Sequence, residues 1–238
     1  MTQMLTLSLR QLTGKWRVIL IVLLALIPVG LAFVPGGDRA DADEEFINGL
    51  LDGLLVGVIM PLVTMALATA AFGNEIEDKT LSYVFLKPVA RWRIAIPKFL
   101  ASVIIAAPLA LVSGGLATYI GTDGDLRTTV AVAMALSVGV ITYASVFTWA
   151  GLITTRALPF AIVYVFLWEG LLSTFIGGIR YLSVRGYTLA IMNGLDDNGL
   201  EVLSDRVIEF PAAVVGAFAV TIVFLWLTVY RLRRMDVP

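Results

Sequence analysis

Six stretches of this chain each hold about 20 nearly unbroken apolar residues, the length a helix needs to cross the hydrocarbon of a bilayer. A soluble core does not produce six such runs by chance. Of the 238 residues, 59% are hydrophobic and 15% are charged, against about 25% charged in an ordinary soluble domain. The expected fold is an all-α integral membrane protein, one transmembrane domain over 1–238, with no room for a sizeable soluble domain. The chain has no cysteine and no histidine. Disulfides, thiolate chemistry, the usual base of a catalytic triad and the commonest metal ligand are therefore excluded. No metal site and no catalytic residue is expected.

The runs predict spans at about 18–34, 47–72, 99–120, 128–153, 158–178 and 211–230. The first carries Pro28 and is predicted to kink there. It begins after a 17-residue lead and is long enough to be an anchor rather than a cleaved signal. Within that lead, residues 4–14 read as an amphipathic helix lying in the interface: Leu5, Leu9 and Leu12 share a face, with Arg10 and Lys15 in reach of headgroups. The sixth run opens at Pro211, a favoured first-turn residue. Between spans five and six, 179–210 is too apolar for a disordered loop. It reads as two short helices, over 181–193 and 200–208, at or dipping into the outer interface.

Lysine and arginine counts orient the chain. With the N-terminus inside, the inner side holds Arg10, Lys15, Arg17, Lys79, Lys87, Arg91, Arg93, Lys98, Arg156, Arg231, Arg233 and Arg234, which is 12 of the 17 basic residues. The outer side holds Arg39, Arg127, Arg180, Arg185 and Arg206 among 12 acids. Both termini are expected in the cytoplasm, in a multi-pass protein of the cell membrane.

The connection 73–98 (GNEIEDKTLSYVFLKPVARWRIAIPK) is far longer than a hairpin between helices needs. Asn74 is placed to cap a helix whose first turn holds Glu75, Glu77 and Asp78, where exposed amides favour acids. Glu75 and Lys79 are four apart in the favourable order. Ile76, Thr80 and Val84, with Leu81 and Phe85, form one face. Pro88 pushes Lys87 out of the helical region, so the helix should end near Leu86. A second helix is expected from Val89 to Ile96, before Pro97 and Lys98 lead into the third span. The outcome is a helix–break–helix elbow.

Glu75, Thr80, Leu81, Leu86, Pro88, Arg91 and Lys98 resemble the first cytoplasmic loop of ABC-2 type transporter permeases. Lys79 stands where that family usually has glycine. The resemblance extends over the whole chain: an interfacial N-terminal helix, six spans, cytoplasmic ends and short outer helices between spans five and six. It implies a permease that pairs with a second copy or a similar permease, and with two ABC ATPase subunits. It also implies that 73–98 supplies the coupling helix, through Glu75, Glu77, Lys79, Thr80, Leu81, Val84, Pro88 and Arg91. This chain holds no phosphate-binding loop, so ATP and Mg would sit on the partner ATPase and no cofactor on the permease. No nucleic-acid partner is expected; membrane lipids are.

Glu169, in the fifth run, costs at least about 2.5 kcal/mol if ionised against lipid, so it should face the bundle, a cavity or a partner. Asp52 lies near the outer rim and is expected to be wet. Thr142 and Ser145 in the fourth run either line a pathway or pack helices closely. Together these four are the candidate intramembrane functional residues. The mostly apolar lining suggests an exported lipid, hydrophobic compound or peptide. The alternatives are a non-transporting scaffold or immunity subunit, and a permease of nitrous-oxide-reductase maturation. An intramembrane enzyme is disfavoured, because the acids lack the spacing of a paired-carboxylate or metal site.

Overall fold

The computed structural model describes residues 2–33, 46–78, 90–154, 159, 162–172, 179–196 and 208–235. Among them there is no strand. The helices in chain order are α1 (Thr2–Leu12), α2 (Lys15–Leu31), α3 (Phe46–Glu77), α4 (Trp92–Gly121), α5 (Leu126–Ile153), α6 (Tyr164–Leu172), α7 (Val184–Leu195) and α8 (Phe210–Arg234). Four of these, α3, α4, α5 and α8, are long and apolar enough to cross a membrane. The bent pair α1–α2, turning by 73°, makes a fifth if it counts as one crossing. The protein is a multi-pass, membrane-embedded helical bundle. Of the expected fifth span, 158–178, only part is described.

Helix α5 is the axis. It packs against α3, α4, α7 and α8, and every residue from Thr142 to Thr148 is buried. The hydroxyls there do not reach out. Thr142 donates to Val138 O, Ser145 to Thr142 O and Thr148 to Ala144 O, within their own helix. Such back-bonding removes the cost of burying a hydroxyl and lets neighbours come close. Gly151 shows how close: a Cβ there would stand 2.5 Å from the Thr69 carbonyl oxygen, so the main chains of α3 and α5 touch.

Helix α3 changes register along its length. Leu50–Ile59 is π-helical, and the Met60 N–H bonds Leu55 O, five residues back. Pro61 follows and has no N–H to continue that register, so the chain resumes as α-helix over Met60–Ala68 and Ala70–Glu77. Helix α4 runs through Pro97 and Pro108 without ending. A turn at 122–125, with Asp123 and Gly124 at positive φ, leads to Asp125, whose carboxylate caps α5 by accepting the Arg127 N–H.

Several expectations change. The span expected to stop at 72 continues to Glu77, so Asn74 caps nothing and Glu75 lies in the last turn of α3 rather than the first turn of a new helix. The helix expected over 89–96 is the start of the third span itself: α4 begins at Trp92 and passes unbroken through Pro97 and Lys98. The amphipathic face of α1 meets protein. Leu12 is buried, Leu5 and Leu9 are half-buried, and α1 packs on α4 and the end of α3. The first expected outer helix, over 181–193, is seen as α7 and is inserted among the other helices. Tyr187, Leu189, Ile191 and Met192 of α7 are buried, and α7 packs between α5 and α8. Of the second, 200–207 lie outside the described residues and Ile208 is not helical.

Candidate functional site

Of the described sequence-predicted residues, Glu75, Glu77 and Arg91 lie where α3 ends and α4 begins, Asp52 and Glu169 meet α7, and Thr142 and Ser145 lie within α5. The end of α3 and the first turns of α4 come together. Lys98 of α4 is buried, with its side chain 3% exposed, and its ammonium lies 2.6 Å from Glu75 Oε1. The same ammonium donates to Ala71 O and sits 4.8 Å from the centre of the Phe72 ring. A lone buried ammonium is costly to desolvate; a carboxylate, a carbonyl and a ring face together offset that. Around the pair lies a small apolar cluster, distinct from the main core, of Phe72, Ile94, Ala95, Leu152 and Leu232 with Met4 packed on it. It joins α1, α3, α4, α5 and α8.

Glu77, the last residue of α3, is exposed, and Arg91 is half-buried at the start of α4. Lys79, Thr80, Leu81, Val84 and Pro88 lie outside the described residues. Among the described motif residues, Glu75 and Lys98 are brought into contact. Lys98 carried a signal in the sequence as a lone cation opening an apolar run, but that signal does not name its partner.

Glu169 and Asp52 converge on the first turn of α7. Glu169, on α6, is buried. It accepts hydrogen bonds from the Ser183 hydroxyl, from Val184 N at 3.0 Å, from Arg185 N at 3.3 Å and from the Tyr164 hydroxyl at 3.3 Å. The first amides of a helix have no partner within it, and a carboxylate there meets both their hydrogen-bonding need and the positive end of the dipole. Ser183 caps the same turn through Gly186 N at 2.9 Å. Aromatic rings enclose the carboxylate. Tyr164 stacks on Trp168, Phe147 stands edge-on to Tyr164, and Tyr143 stacks on Phe147.

Asp52 is not a solvated rim residue. Arg185 grips Asp52 Oδ1 with two donors, Nε at 2.9 Å and Nη2 at 2.7 Å, and the two side chains are 15% and 14% exposed. The sequence reading counted Arg185 only as an outer charge. Its place inside an apolar stretch, two residues after a potential Ser cap, was the signal for a buried role.

Thr142 and Ser145 bond to their own helix, with one further contact, Thr221 Oγ1 to Thr142 Oγ1 at 3.5 Å. An apolar cavity between α2, α3 and α4, lined by Ala25, Leu55, Ile59, Ala106 and Ala110, measures about 10 Å³, at the lower limit for one water. Among the described residues no group of three acids is placed to hold a metal ion. The first is a buried ion pair that ties α3 to α4; the second is a set of polar ties between helices.

No protein-family model matches this chain, and no curated protein matches it.

Proposed function

We propose that this chain is the permease subunit of an ATP-driven transporter of the ABC-2 type, with six spans and both termini in the cytoplasm. It pairs with a second copy or a similar permease, is driven by two separate ABC ATPase subunits that hold ATP and Mg, and exports a lipid, hydrophobic compound or peptide. The observation that carries this reading is the Glu75–Lys98 ion pair. Those two residues bound the motif on which the resemblance rests, and their contact ties the feet of two span helices on either side of 79–89. A connection mounted on a braced base passes a push from an ATPase into α3 and α4, where a slack one would absorb it.

The test is purification of the full chain from its own host membranes. An ABC ATPase is expected to copurify and to be lost on Leu81→Asp or Val84→Asp while the permease still inserts. An intact chain that carries no ABC ATPase overturns the reading. The alternative reading is a non-transporting scaffold. It predicts a stable partner complex with no ATP-dependent movement of lipid or hydrophobic probe in vesicles.

A further inference from the structure

Helix α3 is packed closely throughout, on α4 through Ile47 and Leu55 and on α5 from Met60 onward, but its backbone and its polar ties change along its length. From Met60 onward it is packed against α5. A Cβ on Gly139 would stand 2.9 Å from Met60 Cε, and at Thr69 the main chains meet at Gly151. Atoms that close leave no room for sliding. Before Met60 the helix is π-helical, over Leu50–Ile59. A π segment holds one residue more per turn than its neighbours and returns to α by shifting register, which turns the side chains before it about the axis. Pro61 fixes where the change of register falls, because it has no N–H to pass it on.

Within the π segment the described polar tie to α7 is the two-pronged Arg185–Asp52 pair. The guanidinium lies against Gly57, where a Cβ would be 3.5 Å from its Cζ. The other ties of α7 are of another kind. Glu169 holds main-chain amides, which cannot be released without leaving them unsatisfied in a buried place. Asp196, at the far end of α7, shares the hydroxyl of buried Thr128 of α5 with Asp125 and lies 3.6 Å from Arg127 Nε of the same helix. Helix α7 is therefore bound firmly to α5 and α6. Its bond to α3 is made between two side chains that retain some exposure and that water can take over.

We propose that the Leu50–Ile59 segment of α3 is a hinge and that the Asp52–Arg185 pair is its latch, with the Thr69–Gly151 contact as the fixed point roughly 25 Å along the helix. Opening the latch lets the first half of α3 move from α7 while the second half stays on α5. The proposal does not depend on the transporter reading.

The absence of cysteine from the chain gives a clean test. Val56→Cys, at a position that is wholly buried within the hinge, is compared with Ala68→Cys, equally buried beyond it. The full chain is purified in detergent, and the rate of labelling by a water-soluble maleimide is followed. Adding Asp52→Asn, or separately Arg185→Gln, is expected to raise labelling at 56 by about tenfold or more and to leave 68 unchanged. An unchanged rate at 56 in both variants overturns the latch. A rise of the same size at 68 overturns it too, because the pair then holds the whole helix rather than its first half.

Discussion

Removing the ammonium of Lys98 is the sharpest perturbation this structure offers. Lys98 is 3% exposed and lies 2.6 Å from a carboxylate that is itself 11% exposed. Lys98→Met fills nearly the same volume but takes from the buried Glu75 carboxylate the ammonium it is paired with. Breaking one half of a buried pair costs about 3–5 kcal/mol, most of it the desolvation of the charge left behind. For a chain of this size each kcal/mol moves the melting midpoint by about 2–4 °C, so a fall on the order of 10 °C is expected in detergent. Glu75→Leu alone leaves the ammonium with Ala71 O and the Phe72 ring, and should cost less. The double variant Glu75→Leu with Lys98→Met has no orphan charge and should recover most of the loss, because apolar replacement of both partners is often near neutral. The assay is a thermal melt of the four proteins followed by loss of monodisperse material. Additive losses in the double variant, or a Lys98→Met protein as stable as its parent, would refute the claim that the pair is a buried and coupled tie.

The other expectations concern packing, caps and hydroxyls. Gly151→Ala places a Cβ 2.5 Å from the Thr69 carbonyl oxygen, so α3 and α5 must separate; overpacking of this kind costs about 1–3 kcal/mol and should show as a lowered melting midpoint. Thr142→Val and Ser145→Ala remove hydroxyls that bond to their own helix, so each should cost under about 1 kcal/mol and leave transport in vesicles intact. A large loss of transport with an unchanged melt would instead place them on the substrate path. Asp125 caps α5, and the Thr128 hydroxyl, then the Arg127 N–H, hold its carboxyl below the usual aspartate range. A lowered folded-state value means that its contribution is complete above the ordinary aspartate pKa and disappears as pH falls through the lowered one. Melts of Asp125→Asn should therefore lack an acid-dependent loss that the parent shows in that window. Identical pH profiles would count against the cap being charged.

The sequence by itself determined that this chain is a membrane-embedded helical bundle and where its main spans lie. Solvation by lipid acts on one helix at a time, so each span is a local property. The runs at 99–120, 128–153 and 211–230 all fall inside helices α4, α5 and α8. The Pro211 start was legible because a proline in the first turn has no N–H to waste. Span ends were misjudged where a charge is buried. The apolar runs of the second and third spans stop at 72 and start at 99, short of the charges of Glu75 and Lys98. Each charge is the other's partner, so both spans continue past them. Asp52 was misread as wet in the same way, with its cation 133 residues away in sequence. Glu169 was rightly expected to face the bundle, but its donors come from the start of a helix that seemed to lie on the surface. The hydropathy of a side chain is fixed by its own atoms; whether its charge is paired is fixed by which helix lies opposite. Tertiary packing alone decided that, and with it where the main chains of α3 and α5 touch.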